Sequence, residues 1–286
     1  MANISKSLKS KSLSNSSIEP NARPFLRWAG GKTWLLKHFK EIIPDFKFNN
    51  YHEPFLGGAA LYFFLKPQKC SFLSDLNTDL ISTYISVRDE VDTVINELKQ
   101  FKNTPEDYYR IRDAQFRSDY KKAAQFIYLN QTSFNGIYRV NLQGKYNVPY
   151  GFRNVDFFKP ENLKLVSTNL KKSIITHGDF GMIKKNIKKN DLIFLDPPYT
   201  VTHNNNGFIK YNQKLFSLED QYRLSELLDT IKAKKAFYIL TNAAHKTVEE
   251  IFEKNDNKFL LKRASLIGGL RAQRGHYSEV IFTNIK

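Results

Sequence analysis

Asp191-Leu-Ile-Phe-Leu-Asp-Pro-Pro-Tyr199 is the stretch whose reading decides the fold. Residues 191–195 form a short apolar run with β-branched and aromatic members, bounded by charge before and prolines after, which is the pattern of a buried strand. The tetrad Asp196, Pro197, Pro198 and Tyr199 then stands at the carboxyl end of that strand. In an open α/β sheet the crevice beyond the carboxyl ends of the strands binds ligands, so a carboxylate and a ring placed there face a cavity. Two successive prolines remove two backbone donors and hold Asp196 and Pro197 extended, which leaves the Pro197 carbonyl without a helical partner. One stiff corner thus offers a carboxylate oxygen, a carbonyl oxygen and a flat ring. That set complements an exocyclic amino group, with its two N–H donors, on a flat base. A proline-stiffened turn with a surface Asp and a packed Tyr is the other reading of the same residues, and the rest of the chain decides between them.

Outward from that corner the chain alternates strand and helix, as an α/β protein does. Downstream come a polar loop at 202–206, a long helix from Ser217 to about Ile231, a strand at 236–240, a helix over 248–252 and a final strand at 278–283. Upstream, 173–176 is a strand leading to Gly178, Asp179 and Phe180, and 69–74 is a strand leading to Asp75. Tyr51-His-Glu-Pro-Phe-Leu-Gly-Gly-Ala-Ala-Leu61 reads as a strand turning through Gly57 and Gly58 into a helix. Glycines there let the backbone approach a ligand, and an acidic residue about twenty positions on, here Asp75, is where such folds hold a ribose. A plain tight turn, and a helix cap near Asn77, are the alternatives. At the start of the folded part, Arg23-Pro-Phe-Leu-Arg-Trp-Ala-Gly-Gly-Lys-Thr33 runs a glycine pair into a helical pattern with Trp34, Leu35, Phe39 and Ile42 apolar. Free N–H groups at such a helix start suit an anionic group. Gly31-Lys32-Thr33 imitates the end of a phosphate-binding P-loop, but Leu26 stands where that loop needs glycine, which argues against a nucleoside triphosphatase.

The formal charge of +16 over 286 residues suits a polyanion such as nucleic acid, although general over-use of lysine would also produce it. The lone cysteine, Cys70, leaves no internal disulfide and no multi-cysteine zinc site, no metal is expected, and Cys70 itself reads as core. No apolar run is long enough to span a bilayer. Residues 1–22, rich in Ser, Lys and Asn, lack the apolar block of a secretory signal and read as a disordered tail on a cytoplasmic protein.

Residues 77–132 read as several helices broken near 100–105. Residues 130–151 differ in kind: amides, aromatics, glycines and cations without periodicity describe a loop or hairpin built for contact. In it Arg139 can pair with guanine, Asn135 can read a base edge and Phe134 can wedge or stack, while a solvated hairpin is the plain alternative. Arg263, Arg271 and Arg274, with a Gly-Gly pair between them, suggest a phosphate-contacting loop.

Taken in order, Phe25-Leu-Arg-Trp-Ala-Gly-Gly-Lys32, Glu53-Pro-Phe-Leu-Gly-Gly58, Asp75, Asn135-Gly136 with Arg139, Asn147-Val-Pro149 and Asp196-Pro-Pro-Tyr199 resemble the Dam-type, D12-class (alpha-group) DNA adenine methyltransferases. The similarity runs from about residue 23 to residue 284. The resemblance implies a Rossmann-like S-adenosylmethionine-dependent methyltransferase sheet with an inserted, mainly helical target-recognition domain containing a β-hairpin. It divides the chain into a tail of 1–22, a catalytic cofactor-binding domain of 23–84 and 165–286, and a DNA-binding recognition domain of 85–164.

The implied activity is methylation of the N6 amino group of an adenine flipped from double-stranded DNA. Asp196, Pro197, Pro198 and Tyr199 would be catalytic. Trp28, Gly30, Lys32, Glu53, Phe55, Gly57, Asp75, Asp179, Phe180 and Asp196 would hold S-adenosylmethionine. Asp75 would take the ribose, and Asp179 with Phe180 would border the cofactor's adenine. Arg27, Phe134, Asn135, Arg139 and Pro149 would contact DNA, joined by Arg271 and Arg274. Arg27 stands where the family has a lysine that helps choose the first base, and Phe134 where tyrosine is usual. These departures leave a GATC-like site as one candidate among others. A monomer on DNA is expected, with no membrane partner and a cognate restriction endonuclease as candidate companion. An RNA adenine or DNA cytosine-N4 methyltransferase, and an inactive basic DNA-binding protein, are the competing readings.

Overall fold

The computed structural model describes residues 21–39, 43, 46–199, 216–264 and 276–286. Strands β1 (Tyr51–Glu53), β2 (Ser71–Asp75), β3 (Ser173–His177), β4 (Leu192–Leu195), β5 (Phe237–Ala243), β6 (Asn257–Ala264) and β7 (His276–Thr283) form one sheet in the order β3-β2-β1-β4-β5-β7-β6. The first five are parallel, and β7 runs antiparallel between β5 and β6. From β1 the chain winds one way to β2 and β3, and from β4 the other way to β5, so the strand order reverses between β1 and β4. That reversal is where an open α/β sheet leaves a crevice.

β4 confirms the strand read from residues 191–195 and shows why it is apolar throughout. Leu192 and Phe194 enter one core with Leu73, Ile239 and Ile281, while Ile193 and Leu195 enter a second with Tyr238, Leu240 and Phe282. A strand covered on both faces has no polar side, and each such side chain contributes about 1.5–3 kcal/mol by burial. Asp191, just before β4, is also fully buried. Its carboxylate accepts from the Asn50 amide (3.0 Å), Asn50 Nδ2 (3.1 Å) and the Lys188 amide (2.9 Å), and meets His52 Nε2 at 3.0 Å. Burial pushes the Asp191 carboxyl up, but the bonds from His52, Asn50 and Lys188 outweigh it and hold it below the usual carboxylate range.

The helices are α1 (Ala60–Leu65), α2 (Thr78–Asp89), α3 (Val91–Leu98), α4 (Pro105–Asp113), α5 (Asp119–Thr132), α6 (Pro160–Leu170), α7 (Leu218–Ala233) and α8 (Lys246–Phe252). Local chemistry sets their starts. Asn77 caps α2, Thr104 caps α4 with Pro105 in its first turn, and Ser217 with Asp220 forms a capping box on α7. Tyr84, Val94, Tyr108, Ile127 and Leu163, on α2 through α6, share the first core with Leu73 and Phe194.

Several expectations change. β6 was not anticipated, because it is an edge strand: Lys258 pairs with Glu249 at 2.9 Å and Leu260 is 59% exposed, so its sequence looks like a loop. Arg263 belongs to that strand, its backbone in register with Tyr277, and is not part of a loop; Arg271, Arg274, Ile42 and 202–206 lie outside the described residues. Lys32–Lys37 is a 3-10 turn, and the Gly31 amide, expected to be free for an anion, donates to the Trp28 carbonyl at 3.1 Å. The arm of 130–151 is closed by two isolated antiparallel bridges, Ser133 with Tyr150 and Val140 with Tyr146. Ala22, the last residue of the expected tail, is already buried in the first core; residues 1–20 lie outside the described ones. Cys70 is half-buried rather than core, since it precedes β2 instead of pointing into the sheet's packing.

Candidate active site

Asp196 follows the last residue of β4, and because Leu195 is in register with Leu240 of β5, Thr241 stands beside it. The Thr241 hydroxyl donates to Asp196 Oδ1 at 2.7 Å, and Lys32 Nζ meets the same oxygen at 2.8 Å. Lys32 is 3% exposed, so its ammonium needs partners; it also donates to the Gly30 carbonyl at 2.7 Å. The fourth member comes from β7. Glu279, 2% exposed, lies 3.8 Å from Lys32 Nζ through Oε2, and that oxygen accepts from the Tyr199 hydroxyl at 2.7 Å. The Lys32 ammonium is 5.0 Å from the centre of the Tyr199 ring. Gly30, Lys32, Asp196 and Tyr199, predicted from distant motifs, therefore meet in one corner, with the Lys32 ammonium buried and Asp196 and Tyr199 half-buried around it.

Two further carboxyl groups end the neighbouring strands. Glu53, at the end of β1, accepts from the Tyr51 hydroxyl at 2.9 Å; burial holds it well above the usual range, and the charges on Asp196 and Asp75 add to this. Asp75, at the end of β2, is raised by burial although it accepts from the Gly57 amide (3.1 Å) and the Asn77 amide (2.9 Å). Asn77 itself caps α2, so Asp75 braces the glycine turn rather than the helix.

Gly57 has φ of +45°, and a Cβ there would lie 2.7 Å from Trp28 Cδ1. Trp28 cannot retreat, because it stacks on Tyr138 at 5.8 Å and on Phe126 at 6.5 Å. Gly57→Ala is expected to destabilise the protein by about 1–3 kcal/mol through overpacking, read by urea unfolding. An unchanged midpoint would show that the Trp28 ring yields.

Along the same edge of the sheet, Phe55 stacks on Phe180 at 5.4 Å. Asp179 accepts from the Gly181 amide (2.8 Å) and from Arg223 Nη2 (2.6 Å), and the Arg223 guanidinium covers the Phe180 ring at 4.8 Å. Arg223 thus takes Oδ1 of Asp179, a partner absent from the sequence reading, which placed Asp179 and Phe180 at the border of the cofactor's adenine.

The arm meets the site through Asn130. Its side chain accepts from the Arg27 amide (2.7 Å) and donates to the Arg27 carbonyl (2.8 Å), fixing the segment that carries Trp28. The Arg27 side chain lies against Gly136. Phe134 is 52% exposed, its amide donating to the Pro149 carbonyl at 2.9 Å, and Asn135 is left-handed with φ of +56°. The Tyr138 hydroxyl donates to Asp79 on α2 at 2.8 Å. Arg139 is braced by Asn147, Nε to Oδ1 at 2.8 Å and Nη2 to the carbonyl at 3.2 Å. Sequence reasoning missed Glu279, Thr241, Arg223 and Asn130. Only Glu279 carried a signal, as a lone charge in an apolar strand.

The family of D12 class N6 adenine-specific DNA methyltransferases matches residues 28–265. The chain is 34% identical to Type II methyltransferase M1.LlaDCHI of Lactococcus lactis, over 92% of this chain and 96% of that protein. It is 37% identical to Type II methyltransferase M.MjaIII of Methanocaldococcus jannaschii, over 77% and 84% of the two chains. It is 32% identical to the DNA adenine methylase of Haemophilus influenzae, over 83% and 84%. The motif-bearing corner at the reversal of strand order and these matches lead to one statement: the chain belongs to the D12 class of N6 adenine-specific DNA methyltransferases.

Proposed function

We propose that the chain uses S-adenosylmethionine to methylate adenine N6 at a defined site in double-stranded DNA, with the base turned out of the helix into the corner formed by Asp196 and Tyr199. The observation that carries this reading is the set of carboxyl groups at the strand ends: Asp196 and Glu279 share one buried ammonium, Lys32, while Glu53 and Asp75 end β1 and β2 on the same side of the sheet. A donor set so short of positive charge fits a cationic ligand. When bound, S-adenosylmethionine supplies a methyl group made electrophilic by its sulfonium. Trp28, Gly30, Lys32, Glu53, Phe55, Gly57, Asp75, Asp179 and Phe180 would hold it, with Asp75 toward the ribose.

The chain's own work is to present the amine. Both bonds described for Asp196 fall on Oδ1, so Oδ2 is the oxygen left to accept an N–H from the base, with the Pro197 carbonyl as second acceptor. Accepting a hydrogen bond from each N–H draws the nitrogen lone pair out of the ring, and fixed alignment supplies most of the rate. Tyr199 offers a stacking face to a base whose extrusion costs a few kcal/mol.

Residues 85–164 serve as the recognition part, with Arg27, Phe134, Asn135, Arg139 and Pro149 toward DNA and Arg271 and Arg274 toward phosphates. The protein acts as a monomer in the cytoplasm. The Type II names of two relatives support a restriction endonuclease that cuts the same site as companion. The test is methyl uptake from labelled S-adenosylmethionine onto duplex DNA and onto RNA, followed by digestion to nucleosides. N6-methyladenine in DNA is expected; label in RNA or on cytosine N4 overturns the reading.

Asn147 holds one edge of Arg139 and leaves the rest of the fork for a base. Arg139→Ala is expected to relax selectivity at one guanine by about 1–3 kcal/mol, measured with single-substituted duplexes. Equal weakening on every sequence would make Arg139 a phosphate contact instead.

A further inference from the structure

We infer that Glu279 is a positioning residue for methyl transfer, acting through Tyr199 and Lys32. The inference rests on the reading that target adenine lies between Asp196 and Tyr199. Glu279 sits in β7 opposite Ala243 of β5, with Val280 and Ile281 fully buried beside it. Burying a carboxylate in such a strand costs several kcal/mol, and an apolar residue would pack there more cheaply.

Two of its contacts reach the corner. By accepting the Tyr199 hydroxyl at 2.7 Å it fixes the ring on which the base would stack. By lying 3.8 Å from Lys32 Nζ it gives the ammonium a second anion, so Asp196 is not its only counter-charge. Asp196 then keeps more of its charge for the amine. Because Lys32 and Thr241 both bond Oδ1, the direction in which Oδ2 points depends on the Lys32 position that Glu279 helps to set.

Two variants separate these effects. Glu279→Gln keeps an acceptor oxygen for Tyr199 and loses the charge; Glu279→Met keeps the volume alone. On duplex DNA, kcat is expected to fall by about 100-fold for Glu279→Met, the size of a misplacement of about 1 Å, and by a smaller factor for Glu279→Gln. Affinity for S-adenosylmethionine without DNA is expected to fall by a much smaller factor than kcat, and the unfolding midpoint of Glu279→Gln should stay at the wild-type value.

The decisive readout is non-additivity: Tyr199→Phe lowers kcat alone but costs little more in the Glu279→Met background, since the shared bond is already gone. Additive losses, unchanged kcat in Glu279→Met, or parallel losses of kcat, cofactor affinity and stability would overturn the inference. If Glu279→Met does not fold, Glu279→Gln in a cycle with Lys32→Met carries the test in the same way. An Asp196→Asn enzyme that turns over at the wild-type rate would overturn the underlying reading. An inactive Asp196→Asn beside a fully active Glu279→Met overturns the role of Glu279 alone.

Discussion

Asp196→Asn is expected to lower the rate of methyl transfer by roughly 10²–10³-fold, the cost of removing one preorganised electrostatic partner. The two bonds to Oδ1 explain why a substitution of equal volume is so damaging. Lys32 and Thr241 both donate to that oxygen, at 2.8 and 2.7 Å, so the Asn side chain turns its carbonyl toward them. Its amide NH₂ then faces the position of the incoming amine, and a donor meets a donor. Asp196→Ala should also be inactive, but it strips the 3%-exposed Lys32 ammonium of its nearest carboxylate and brings a folding penalty of about 3–5 kcal/mol with it. Single-turnover methylation of a duplex, alongside equilibrium dialysis of S-adenosylmethionine, makes the comparison. Cofactor binding with transfer slowed by that factor is the expected result for Asp196→Asn; transfer at the wild-type rate would end the proposed mechanism.

The second large effect is structural. Asp191→Ala is expected to cost about 3–5 kcal/mol, because four donor groups lose a buried acceptor in one step. The effect should depend on pH with a definite sign. The folded carboxyl is held below its ordinary value, so it stabilises the protein fully above the unfolded value of about 3.9 and loses that contribution as pH falls through the folded value. Urea unfolding of the two proteins should therefore show a wide gap at neutral pH that closes in acid. A gap of constant width would mean that ionisation of Asp191 is not its source.

How much of this was legible in the sequence follows from where the information lies. β4 and its tetrad were readable because an apolar run followed by two prolines is a local pattern. Asp75, Gly57 and the start of α7 were readable for the same reason. β6 was not, since an edge strand keeps charge on its exposed side and imitates a loop. Glu279 was passed over because nothing local says that β7 inserts between β5 and β6, which alone brings it to Tyr199. Thr241 became a partner of Asp196 only through the register of β4 on β5. Asn130 grips Arg27 across 103 positions, a distance at which no spacing rule operates. The free amide expected at Gly31 failed for the opposite reason, a short-range bond to Trp28 that closes the turn on itself.

One core runs without interruption from the sheet through α2 to α6, joining Leu73 and Phe194 to Val94, Tyr108 and Ile127. Among the described residues this packing leaves no seam between the sheet and α2 to α6, since close-packed interiors resist being sheared open. Under the proposed reading, delivery of the base is then left to the nucleic acid, with a nucleotide turned outward over a core that stays still. Small-angle scattering of the free and DNA-bound protein should accordingly give the same protein envelope, with the distortion confined to the duplex.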